Sequence, residues 1–120
     1  MNGYIYIIKM ETGQYKIGRT NNISNRMSYF AIKLPFEFDL IHTFPCNDMA
    51  DAERQLHAIF ATKRIKGELF NLTDEDVTIL KSVNNVTKFG EFEKVDQHGN
   101  HWGMPELWTQ LPEHYCQKYL

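Results

Sequence analysis

Residues 3–26, GYIYIIKMETGQYKIGRTNNISNR, decide the fold. Tyr4, Ile5, Tyr6, Ile7 and Ile8 form an aromatic and β-branched run of the kind that builds a strand. A second, shorter run over 14–19 carries Tyr15 and Ile17. Between them Glu11, Thr12 and Gly13 make a three-residue hairpin loop, with Gly13 where a positive φ is required. That loop length sets the register: Ile8 opposite Lys16 and Tyr6 opposite Gly18. Side chains alternate faces along a strand, so Tyr4, Tyr6, Ile8, Lys16 and Gly18 share one face. A two-residue loop would turn Lys16 away from Tyr6.

Working outward, Asn21 and Asn22 are capping residues for a first helix over 23–32, stopped before Pro35. Residues 36–44 alternate and then turn apolar, which predicts a third strand, with 45–47 as a turn. Asp48 caps a second helix over 49–62. Residues 68–72 form a short strand, and Thr73 with Asp76 makes a capping box for a third helix over 74–83. The order predicts an α/β fold, a small, mostly antiparallel sheet flanked by helices. We read residues 1–83 as one domain and 84–120 as a C-terminal extension. The extension carries a hairpin of 89–95 with 100–103 around 96–99, and an aromatic set of Trp102, Trp108, Tyr115 and Tyr119.

One hundred and twenty residues at 42% hydrophobic and 23% charged suit one globular domain. No apolar run approaches the ~20 residues of a membrane span. No signal peptide opens the chain, and Cys46 and Cys116 are too few for a disulfide framework. The reading is a cytoplasmic protein of a bacterial cell or a phage-infected host, without membrane contact. The net charge of −2 hides an uneven distribution: +4 over residues 1–35, −4 over 36–83 and −2 over 84–120. Lys9, Arg19 and Lys33 are the candidate DNA-contacting cations of the basic part.

On the second helix, Met49, Ala52, Leu56, Ile59 and Phe60 fall in one apolar arc at 100° per residue. Glu53 sits at the edge of that arc and points toward the protein. A buried unpaired carboxylate there is costly by several kcal/mol, so it calls for a cation, a metal or several donors. His57 lies one turn later, within reach of the same pocket, and reads either as a partner of Glu53 there or as a satisfied structural histidine.

Four segments and one arginine, in order, resemble the GIY-YIG nuclease superfamily, closest to small phage and bacterial members. Gly3 to Tyr6 stands at the first tyrosine-bearing strand, and Lys16-Ile17-Gly18 within Tyr-Lys-Ile-Gly-Arg-Thr at the Tyr-Ile-Gly motif. Arg26 stands at the arginine of the first helix, and residues 52–57 at the helix bearing the metal-binding glutamate. Gly67-Glu68-Leu69-Phe70 resembles a Gly-Glu-Trp-Phe strand of that branch. Lys16 occupies the place of the family's second tyrosine. The resemblance implies phosphodiester hydrolysis, with Tyr4, Tyr6, Lys16, Arg26, Glu53 and His57 as catalytic candidates. Strand alternation and the wheel position of Glu53 place Tyr4, Tyr6, Lys16, Arg26 and Glu53 on one concave face. It implies Glu53 as ligand of Mg²⁺ or Mn²⁺, Arg26 as phosphate support, and Tyr6 or Lys16 in activating water. DNA is the implied partner, with a second copy of the chain or another protein at the aromatic segment. The second function reading is a module of this fold that binds DNA or protein without cleaving.

Overall fold

The computed structural model describes residues 2–86, 92–95, 101–104, 107 and 110–116. Strands β1 (Gly3–Met10) and β2 (Tyr15–Thr20) form the hairpin, with Tyr6 opposite Gly18 and Ile8 opposite Lys16. Gly13 adopts φ +92°, and its N–H donates to the Met10 carbonyl at 2.9 Å. Helix α1 (Ile23–Lys33) starts where the Asn22 side chain accepts from the Asn25 N–H. Strand β3 (Phe38–Cys46) runs antiparallel to β1, with a register shift between Ile7 and Ile8. Pro45 belongs to this strand and not to a turn. It lies on the edge strand of the sheet, where a missing N–H breaks no ladder.

Helix α2 (Met49–Ile59) is shorter than its sequence pattern. Phe60 leaves helical geometry at φ −100°, ψ 19°, and a 3-10 turn over Ala61–Lys63 follows. A strand absent from the sequence reading comes next: β4 (Arg64–Lys66) pairs with β5 (Leu69–Phe70) around Gly67, which takes φ +56°. Its three residues are all exposed, so no apolar alternation marks them. Helix α3 (Asp74–Lys81) opens with the capping box of Thr73 and Asp76. The sheet is fully antiparallel in the order β3-β1-β2-β5-β4. A separate hairpin pairs β6 (Phe92–Val95) with β7 (His101–Met104), and a short helix α4 covers Glu113–Cys116. The turn residues 96–99, Trp108, Tyr119 and the side chain of Trp102 lie outside the described residues.

Two apolar clusters sit on opposite faces of the sheet. Ile5, Ile7, Tyr15 and Ile17 face Ala52, Leu56 and Ile59 of α2, together with Phe44, Phe70, Leu80, Leu107 and Leu111. Tyr6, Ile8 and Met10 face Phe30 of α1, with Ile23 and Met27 packed around it. Leu107 and Leu111 are buried, so part of the C-terminal segment lies in the main core. Among the described residues no helix is long and apolar enough to cross a membrane.

Candidate active site

The site forms around a missing side chain. Tyr6 is 1% exposed, and its hydroxyl lies where a Cβ on Gly18 would be: an alanine there would overlap the Tyr6 Oη and Cζ. Strand pairing dictates this, because directly opposed residues bring their Cβ positions within about 5 Å. Arg26 reaches over from α1, stacks over Phe30 at 5.9 Å from the ring centroid, and lies close enough to the Tyr6 hydroxyl to favour its ionisation. Lys16, on the same face, is ion-paired with Glu68 and stands 5.6 Å from the Phe30 centroid.

Glu53 and His57 arrive by another route. Their helix packs on the face opposite Tyr6, so the expectation that Tyr4, Tyr6, Lys16, Arg26 and Glu53 line one face needs correction. What joins the two groups is the edge of β2. Strand β5 pairs only with Tyr15 and Lys16, leaving Gly18 to Thr20 unpaired on that side. The N–H of Ile17 points outward there, donating to the Glu68 carbonyl at 3.1 Å. N and O of one strand residue point the same way, and His57 Nε2 meets the Ile17 carbonyl at 3.0 Å. A carbonyl only accepts, so Nε2 carries the proton and Nδ1 is the nitrogen left for other chemistry. The stripe of α2 that bears Glu53 and His57 therefore runs along the free edge of β2, next to the gap at Gly18.

The charges meet across this edge. Burial pushes the Glu53 carboxyl upward, and the Glu68 carboxylate adds to the shift against the opposing pull of His57, Arg19 and Lys16. Oε2 of Glu53 is buried without a hydrogen-bond partner among the described residues. The Tyr6 phenol is also raised, first by burial, then by Glu68 and Glu53, with Arg26 acting the other way. Tyr6 in this state is a firmly protonated phenol.

Glu68 is the site residue that the sequence reading left out. It belongs because β5 lies beside Lys16, a contact 52 residues apart along the chain that no local pattern announces. The other expected residues spread out. Tyr4 is 39% exposed on the Tyr6 face. Arg19 is exposed and lines an open groove with Glu53, His57, Arg54 and Arg64. Lys9 sits toward the hairpin loop, over the Tyr15 ring and away from the Gly18 gap. Lys33 is exposed in the last turn of α1.

A family model described as the T5orf172 domain matches residues 3–102. The chain belongs to the T5orf172 domain family. That family is linked to phage nuclease domains of the GIY-YIG and HNH-like kinds, so the chain points to a nuclease-like or DNA-binding function. The match covers the hairpin, α1, the Glu53 helix and the Glu68 strand, and it continues through β6 into β7. Comparisons with curated proteins and with solved structures give no match.

The donor set of this T5orf172 domain can be tested against a divalent ion. Among the described residues no three His, Cys, Asp or Glu side chains converge on one point. That argues against zinc, which takes three or four protein ligands. Mg²⁺ is held through one or two carboxylates and several waters. The orphaned Oε2 of Glu53, with the Glu68 carboxylate close enough to raise it, fits that pattern.

Proposed function

We propose that this protein is a metal-dependent DNA endonuclease of GIY-YIG type, cutting phosphodiester bonds at the Gly18 gap. The observation that carries the reading is the buried, unpartnered Oε2 of Glu53 at a sheet edge shared with Tyr6, Arg26 and Lys16. A carboxylate in that state is unfavourable for the protein alone and useful to a hard cation.

In this reading Glu53 holds Mg²⁺ or Mn²⁺, with Glu68 close by. When bound, the ion polarises a phosphate oxygen and offsets the negative charge that Glu53 and Glu68 place on the site. Arg26 donates to a non-bridging phosphate oxygen while keeping its contact with the Tyr6 hydroxyl. Its planar fork allows both at once. Lys16, held by Glu68, presents a second positive charge on the same face. Tyr6 Oη takes the proton from attacking water as a phenolate. Its own proton has first passed to solvent at the Gly18 edge, once cations there offset the burial and carboxylate charges that now oppose its ionisation. The severed 3′ oxygen takes up a proton from solvent.

Supercoiled plasmid incubated with Mg²⁺ or Mn²⁺ tests the proposal. Wild type is expected to nick or linearise it, and Glu53→Gln to leave it intact while retaining the wild-type circular dichroism spectrum. Cleavage by Glu53→Gln at the wild-type rate removes the metal role of Glu53. One observation favours a second reading, a module that binds DNA without cutting it: Tyr6 is buried and strongly protonated, with Lys16 neutralised by Glu68. Wild type that binds DNA yet cleaves no DNA form with either ion establishes that reading instead.

A further inference from the structure

Helix α1 presents an outer face that, Arg26 apart, the cutting chemistry does not use. At 100° per residue, Asn22, Asn25, Arg26, Tyr29 and Lys33 fall within about 100° of one another, and all five are exposed. The adjoining arc, Ile23, Met27 and Phe30, is the one that packs on Tyr6, Ile8 and Met10. Tyr29 is 52% exposed, and its ring meets Phe30 edge-on at 5.9 Å. That contact gives the exposed ring one packed neighbour and leaves the rest of its surface open.

Charge identifies the occupant. No carboxylate occurs between Glu11 and Glu37, while Lys16, Arg19, Arg26 and Lys33 all fall in that interval. In a chain of net charge −2, the layer made by β2 and α1 is therefore its concentrated positive part. Two cations, two amides and an aromatic ring on one stripe suit a polyanion that also offers flat faces. Backbone-tracking charge combined with an aromatic platform is how proteins take single-stranded nucleic acid. A closed duplex presents phosphates but keeps its base faces stacked, and would leave Tyr29 unused.

We propose that the outer face of α1 takes an unpaired stretch of DNA strand, one base stacked on Tyr29 and the flanking phosphates beside Arg26 and Lys33. The proposal rests on the nuclease reading for the choice of DNA as the polyanion. Because Arg26 also stacks over Phe30, whose ring centroid lies 5.8 Å from that of Tyr6, a strand on this face leads to the Gly18 gap. The substrate class that follows is DNA with an unpaired segment beside the cut: an overhang, a flap or a frayed end.

Fluorescence anisotropy in EDTA separates binding from cleavage. The probes are a blunt duplex and the same duplex with a single-stranded overhang carrying 2-aminopurine. Wild type is expected to prefer the overhang and to quench the 2-aminopurine by stacking. Tyr29→Ala should lose roughly tenfold or more in affinity for the overhang, with blunt-duplex binding unchanged, and Tyr29→Phe should restore both affinity and quenching. Equal weakening of both probes by Tyr29→Ala, or equal wild-type affinity for both, overturns the proposal and leaves the nuclease reading standing. So does light scattering that shows a dimer lost in Tyr29→Ala with DNA binding intact, since the face would then be a contact between copies. Wild type that binds neither probe sinks this inference and the DNA-processing reading together.

Discussion

Gly18 is the residue on which the site turns, because its lack of a side chain lets the Tyr6 hydroxyl lie over the strand. Gly18→Ala forces a Cβ into the phenol. Overpacking of this kind costs about 1–3 kcal/mol, which should appear as a lower urea midpoint and, under the proposed function, as loss of cleavage. An unchanged midpoint would mean that Tyr6 has room to move aside. Glu53 makes a prediction of opposite sign. Its folded-state pKa is raised above the unfolded value, so its favourable contribution is complete below the ordinary carboxylate range and is lost as pH rises through the raised value. Without divalent ions, Glu53→Gln should therefore melt higher than wild type at neutral pH and converge with it in acid. If the variant melts lower at neutral pH, Glu53 serves the fold and not a ligand. Much of this was readable beforehand. The three-residue loop gave the Tyr6–Gly18 pairing, and the helical wheel put Glu53 at the edge of the apolar arc. The side of the sheet from which Glu53 comes was not readable, because it depends on where α2 docks against β2.

At the scale of elements, α3 is tied to the end of the chain by one carboxylate. Asp76 is 1% exposed and accepts from the Thr73 N–H at 2.9 Å, from Lys63 Nζ at 2.5 Å and from the Tyr115 hydroxyl at 2.6 Å. Burial alone would raise its pKa, but these donors outweigh burial and hold the carboxyl below its usual range. The stability it supplies is thus present above the ordinary carboxylate pKa and lost as pH falls through the lowered one. Asp76→Asn should destabilise by about 2–3 kcal/mol at neutral pH, since Lys63 and Tyr115 then lose their charged acceptor. The gap between variant and wild type should narrow in acid, as thermal melting against pH will show. A constant gap would mean that the carboxylate charge is not what matters. Sequence announced half of this network. The capping box of Thr73 and Asp76 follows a local rule, whereas Lys63 and Tyr115 come from 13 and 39 residues away. Strand β4 escaped for a related reason: its exposed residues carry no apolar period, and its partner β5 and the turn at Gly67 define it.

For the whole molecule, the C-terminal segment reaches the main core. Leu107 and Leu111 are 0% and 5% exposed in the cluster that contains Ile5, Phe44 and Leu80. Leu107→Ala should cost about 2–5 kcal/mol, and removal of all residues after Val86 at least as much. Denaturant unfolding measures both, and a truncated chain with undiminished stability would show that the first 86 residues close their own core. The burial also sets a timetable for synthesis. Chains begin to fold from the N-terminal end as they are made, and the β1–β2 hairpin needs only nearby partners. The core beneath it stays open until Leu111 has left the ribosome. A protein built in this way completes its fold only after nearly all of its described residues have been made.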